Sequence, residues 1–128
     1  MILDTSAILA VVFQEPGFES LLQKLTDTKA VAVGAPTVAE TGIVLNARLG
    51  RDSHGLIARL LHEWQVIVVP FGEDHWKEAV NAHARFGRGR HRAALNFGDC
   101  LAYAVAKLSG EPLLAVGNDF SKTDLELA

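Results

Sequence analysis

The sequence predicts an α/β fold with a central parallel sheet covered by helices on both faces. Three observations predict it. Four short apolar runs, "MIL", "AVAVGAP", "VIVVP" and "PLLAV", are spaced along the chain. Between them lie segments whose apolar residues recur at helical spacing, and Gly, Pro, Asn or Asp mark most of the joins. Strands that alternate with helices close into a parallel sheet through right-handed crossovers. In such sheets, sites gather at the carboxyl ends of the strands.

The elements follow in chain order. Met1 to Leu3 reads as a strand ending at Asp4, after which Thr5 or Ser6 can cap a helix running to about Gln14. Glu15, Pro16 and Gly17 break that pattern, and "FESLLQKL" begins a second helix with Phe18, Leu21, Leu22 and Leu25 on one side. The second strand is closed by Gly34 and Pro36. Thr37 then opens a helix to about Leu49, and Ser53 opens another to about Trp64. "VIVVP" is the strongest strand signal, being β-branched and stopped by Pro70. A helix from about Glu73 to Phe86, a loop rich in Arg and Gly, a helix starting near Phe97 and the strand "PLLAV" complete the order. No internal repeat or low-complexity segment interrupts it.

A chain of 128 residues, 49% hydrophobic and 21% charged, fits one domain spanning residues 1–128 with a substantial core, and excludes disorder. The longest apolar runs are too short to span a bilayer, so no membrane association is expected. No export signal opens the chain, and the single Cys100 can make no internal disulfide, which fits a cytoplasmic protein. The net charge of -3 conceals an uneven distribution. No acidic residue occurs from Ala79 to Gly98, where Arg85, Arg88, Arg90 and Arg92 cluster; elsewhere 15 acidic residues face 8 basic ones. A charge run is often only a solvated loop. The functional alternative is a phosphate-binding patch at Arg88, Arg90 and Arg92.

Four carboxylates need an explanation. In "NFGDCLAYAVAK", Asp99 shares a helical face with Ala102, Tyr103 and Ala106, so its charge points toward a buried surface and needs a partner. Each acid also has a local explanation. Asp4 and Asp99 suit helix N-termini, "TVAE" from Thr37 to Glu40 is a capping-box pattern, and Asp119 in "GNDF" suits a turn. Yet Glu40 also shares a face with Ile43, Val44 and Ala47, which turns it inward. The fold class lets all four acids meet at one sheet edge. Converging carboxylates repel one another unless a divalent cation neutralises them. Hard oxygen ligands favour Mg²⁺, with Mn²⁺ as the alternative, and no Cys or His cluster has zinc-site spacing. Such ions can activate water and stabilise the leaving oxygen in a displacement at phosphorus.

The opening "ILDTSAILAVV", the "VAETGIVL" helix, "LNFGDCLAYAVAKLSGEPLLAVGNDF" and the closing "TDL" resemble the PIN-domain ribonuclease toxins called VapC, in the same order and over nearly the whole chain. The resemblance implies a three-layer α/β/α sandwich, magnesium-dependent endonucleolytic cleavage of RNA, inhibition by a VapB-like antitoxin, and a homodimer within the toxin-antitoxin complex. Carried onto this sequence, the acidic set is Asp4, Glu40, Asp99 and Asp119, both catalytic and metal-binding, with Ser6 and Asn118 as polar supports and Asp124 as a further acidic position. The rivals fit less well. A receiver-like regulatory module would need a phosphoacceptor Asp after the middle strand, and "VIVVPFG" has none. A haloacid-dehalogenase phosphatase would need a second acid in Asp4-Thr5-Ser6. A thiol enzyme would need a histidine tied to Cys100.

Overall fold

The computed structural model describes residues 1–128. The strands β1 (Ile2–Leu3), β2 (Val31–Gly34), β3 (Val66–Val69) and β4 (Leu113–Leu114) form one parallel sheet in the order β3-β2-β1-β4. Six helices connect and flank them: α1 (Thr5–Val12), α2 (Phe18–Asp27), α3 (Ala35–Leu49), α4 (His54–Glu63), α5 (Glu73–Phe86) and α6 (Phe97–Ser109). A 3₁₀ turn, Phe120–Lys122, follows β4. The chain leaves β1 for β2 on one side and returns to β4 on the other. The carboxyl end of β1 is therefore the place where the strand order reverses.

Successive strand residues point to opposite faces, and the core divides accordingly. Ile2 and Leu113 join the cluster formed with α5 and α6, which contains Phe86, Tyr103 and Val105. Met1, Leu3, Val31, Val33 and Leu114 join the other, with Ala7, Ile8 and Leu25 of α1 and α2. This is the expected three-layer α/β/α sandwich. Along α6, Cys100 and all residues from Ala102 to Ala106 are buried. Its small residues let it lie close to the sheet, and a methyl group on Gly34 would come within 2.8 Å of Val105 Cγ2.

Three details differ from what the sequence pattern predicts. First, α3 starts at Ala35, directly after β2, with Pro36 in its first turn, where a missing N–H costs nothing. "TVAE" is consequently not a capping box: Thr37 is buried inside the helix, and its carbonyl accepts from Thr41 Oγ1 at 2.8 Å. Second, the buried side of α3 is Thr37, Thr41 and Leu45, while Ile43 is 70% exposed and Ala47 is exposed. Third, β3 is an edge strand with Ile67 and Val68 exposed, because helices cover an edge less completely than the centre. The opposite edge is covered. Leu113 N–H donates to Glu126 O and Ala128 N–H donates to Leu113 O, both at 2.9 Å, so the C-terminal segment runs beside β4.

Candidate active site

Asp4 follows β1 and is itself the N-cap of α1, a position that the sequence pattern assigns to Thr5 or Ser6. Its backbone N–H donates to Leu114 O at 3.0 Å, which fixes it beside β4. One carboxylate oxygen, Oδ2, accepts from Ser6 N–H at 3.1 Å and from Ser6 Oγ–H at 2.6 Å. Ser6 Oγ in turn accepts from Val116 N–H at 2.9 Å. Ser6 thus ties Asp4 to the segment that leads to Asp119.

Glu40 lies in the second turn of α3, half-buried. Its Oε1 accepts the hydroxyl of the buried Thr5, and Thr41 Oγ1 lies 3.4 Å from the same hydroxyl oxygen. Oε2 lies against the backbone of Gly98 in the first turn of α6. Thr5 and Gly98 therefore hold Glu40 between two neighbouring helices. Neither partner is evident from the sequence, where Thr5 reads only as a possible cap and Gly98 only as part of the "NFGD" motif.

Asp99 occupies the third position of α6 and completes a reciprocal cap. Its N–H donates to Asn96 Oδ1 at 2.8 Å, and its Oδ2 accepts from Asn96 N–H at 3.1 Å. Capping and a place in the acidic cluster thus coexist in one residue, leaving Oδ1 without a bond to the protein. The predicted buried face is present: Ala102, Tyr103 and Ala106 are at most 1% exposed.

The remaining sequence candidates divide. Asp119 and Asn118 lie exposed in the loop after β4, at the same end of the sheet. Asp124 has different company. Its carboxylate accepts from Tyr103 OH at 2.6 Å, from Lys107 Nζ at 2.9 Å and from Arg85 Nη2 at 3.4 Å. Those partners satisfy it toward the far end of α6.

Electrostatics separates the two groups of acids. Burial, together with the charges of Asp4, Asp119 and Glu40, overcomes the Asn96 hydrogen bond and pushes the Asp99 carboxyl up to about 6. Burial also raises Asp4, against the pull of the Ser6 bonds and with added repulsion from Glu40. Burial would raise Asp124 too, but Tyr103, Lys107 and Arg85 outweigh it and hold the carboxyl at about 2. No ion pair in the molecule involves Asp4, Glu40, Asp99 or Asp119. Asp4 and Asp99 thus feel the neighbouring carboxylates with no basic side chain paired to any of the four.

The donor set has the chemistry of a hydrated divalent-cation site. No three Asp, Glu, His or Cys side chains converge tightly enough to enclose a metal ion unaided. Mg²⁺ does not need such a cage, since it keeps several waters and commonly takes only one or two protein carboxylates. The all-oxygen, uncompensated set fits a hydrated hard cation and does not fit zinc. Cys100 is buried, and burial, aided by the Asp99 charge, pushes its thiol up to about 11. That environment disfavours the thiolate a thiol enzyme needs.

The basic loop lies between α5 and α6. Arg85 is diverted to Asp124 and stacks on Phe86 at 4.7 Å, whereas Arg88, Arg90 and Arg92 are exposed and make no ion pair. The loop is nonetheless ordered from within. Arg88 N–H donates to Leu95 O, Leu95 N–H donates to Phe86 O, and Ala93 N–H donates to His91 Nδ1. It ends at Asn96, the cap of the Asp99 helix.

The PIN domain family matches residues 1–126. The chain belongs to the PIN-domain family. Ribonuclease VapC36 of Mycobacterium tuberculosis is 48% identical to this PIN domain over 127 residues, covering 98% of the chain and 91% of the relative. Ribonuclease VapC of Mycolicibacterium smegmatis is 39% identical over 125 residues, covering 98% and 97%. In fold, the PIN domain is similar to the crystal structure of M. tuberculosis VapC20, a Sarcin-Ricin loop cleaving toxin, with a TM-score of 0.79 at 20% identity and coverage of 99% and 97%. A toxin-antitoxin complex from Klebsiella pneumoniae matches with a TM-score of 0.72 at 15% identity, covering 99% and 95%. Membership in this family sets aside the receiver-like and haloacid-dehalogenase alternatives. No helix of this PIN domain is long and apolar enough to cross a membrane.

Proposed function

We propose that this PIN domain is an endoribonuclease acting as the toxin of a toxin-antitoxin pair, with residues 1–128 forming one catalytic domain. The observation that carries the reading is the uncompensated set of Asp4, Glu40, Asp99 and Asp119 at the carboxyl edge of the sheet. Relatives named VapC ribonuclease, similar along nearly their whole length, support it.

In the proposed mechanism, Asp4, Asp99, Glu40 and Asp119 would hold a hydrated Mg²⁺ or Mn²⁺. When bound, the cation supplies Lewis-acid stabilisation of the phosphate and a more acidic water. The chain's own residues supply placement. Ser6 fixes the rotamer of Asp4, Asn96 fixes Asp99, and Thr5 and Gly98 fix the two oxygens of Glu40. Asn118 supports the Asp119 loop. Arg88, Arg90 and Arg92 bind RNA phosphates, contributing affinity without base identity.

A VapB-like antitoxin is the proposed inhibitor. Acidic side chains without a basic partner form a socket for a guanidinium, which bridges carboxylates in bidentate fashion. Beside the socket lies an apolar face. A groove of about 540 Å³ is lined by Phe71, Trp76, Val80 and Phe97, and another of about 500 Å³ by Ile43, Val44 and Phe97. Phe97 is 79% exposed between them, giving an amphipathic antitoxin segment or a second copy of the chain an apolar seat. These partners imply action in the cytoplasm. The testing experiment is to incubate the purified chain with cellular RNA, with Mg²⁺ or with EDTA, and to sequence the fragments. Discrete cuts only with the metal support the reading; intact RNA in both sinks it.

A further inference from the structure

Glu40 is the one acid of the set whose position depends on a missing side chain. A methyl group built on Gly98 would lie 2.9 Å from Glu40 Cδ and would overlap Oε2. Nothing in the backbone requires glycine there, since Gly98 is absent from the positions with positive φ. An alanine in the first turn of a helix is ordinarily tolerated or favourable. Across from Gly98, the Thr5 hydroxyl donates to the other oxygen of the same carboxylate. Moving Glu40 away from α6 therefore strains or breaks its bond to α1.

We infer that Gly98 and Thr5 are positioning residues that together set the Glu40 carboxylate within the acidic cluster, Gly98 by leaving room and Thr5 by donating a hydrogen bond. The inference rests on the proposed role of Glu40 and adds two residues that themselves touch no substrate. It also accounts for the close spacing of α3 and α6, because the carboxylate fills the space that a Cβ would take.

The test is a cycle of four proteins: parent, Gly98→Ala, Glu40→Ala and the double variant, each measured for thermal stability in EDTA and for Mn²⁺ affinity by calorimetry. With Glu40 present, Gly98→Ala is expected to lower stability or to lack the benefit that alanine ordinarily brings to a helix. In the Glu40→Ala background the same substitution should recover that benefit. Mn²⁺ affinity should fall by about 10- to 100-fold in Gly98→Ala, the usual cost of disturbing a supporting residue. In the Glu40→Ala background the second change should add nothing. Thr5→Val should lower Mn²⁺ affinity in the same way, and Thr5→Ser, which keeps the hydroxyl, should restore it. Additive stability effects of the two substitutions would overturn the inference, and so would parent-like Mn²⁺ affinity in Gly98→Ala. A parent that binds no Mn²⁺ would instead remove the metal reading, and the stability cycle would still decide whether Gly98 and Glu40 are coupled.

Discussion

The Tyr103 hydroxyl donates to Asp124 at 2.6 Å, and this bond fastens the C-terminal segment to the most deeply buried helix of the fold. Tyr103 is fully buried, so its hydroxyl needs a partner. Asp124 provides one while pairing with Lys107 and Arg85 at the surface.

Asp124→Asn should therefore cost stability and leave Mn²⁺ binding intact. The folded carboxyl is held at about 2, below its ordinary 3.8, so the unfolded chain binds more protons in that window. The stabilisation is complete above the unfolded value and is lost as pH falls toward 2. With a side chain 34% exposed, solvent screening limits the loss to about 1 kcal/mol. Urea melts should show a constant difference between parent and variant above pH 5 that narrows below pH 4. A difference unchanged down to pH 2 would contradict the assignment.

For Asp99 the sign is reversed. Its carboxyl is pushed up to about 6, so between 3.8 and 6 the folded state binds more protons, and parent stability falls as pH rises. Asp99→Asn keeps an acceptor for Asn96 N–H and removes the charge. In EDTA at pH 7.5 the full rise from 3.8 to about 6 would be worth about 3 kcal/mol at about 1.4 kcal/mol per pH unit, and solvent screening of this half-buried group reduces the expected gain of the variant to about 1–2 kcal/mol. The gain should fade between pH 6 and 4, and RNA cleavage should be lost. Equal stability of parent and variant in EDTA across that range would refute the repulsion argument.

Ser6→Ala removes the donor to Asp4 and the acceptor for Val116 N–H. A stability loss of about 1 kcal/mol is expected. Mn²⁺ affinity should fall by about tenfold, because the Asp4 rotamer loses its support. Calorimetry showing parent affinity would mean that Ser6 only ties β4 to α1.

The triple variant Arg88→Ala, Arg90→Ala, Arg92→Ala should fold normally, since the loop is held by backbone bonds and by His91 rather than by these side chains. Affinity for single-stranded RNA should fall for every sequence. The log-log salt slope should flatten by about 0.7 for each phosphate no longer neutralised. An unchanged slope would mark the loop as merely solvated.

The sheet, the helices and the buried face beside Asp99 are legible in the sequence because each rests on a local signal, β-branched runs for the strands and helical spacing for the rest. What is not legible depends on how elements meet. The start of α3 at Ala35 rather than Thr37 turns Glu40 away from a capping role and toward Thr5, and no pattern within α3 reveals that contact. The space at Gly98 exists only because α3 and α6 are neighbours. Asp124 matches a motif position, yet its partners Tyr103, Lys107 and Arg85 come from two helices whose packing the sequence does not display. The stripe of exposed Ile43 and Ala47 with half-buried Val44 imitates a core face, because an apolar interface and an apolar interior have the same periodicity.

The most direct test is cleavage of an end-labelled RNA by the purified parent and by Asp4→Asn, each titrated with Mg²⁺ after treatment with EDTA. The account predicts saturable, metal-dependent endonucleolytic cutting by the parent, and no cutting above background by an Asp4→Asn protein that still folds. Equal cutting by the two proteins, or parent activity that persists in EDTA, would contradict a reaction centred on these carboxylates.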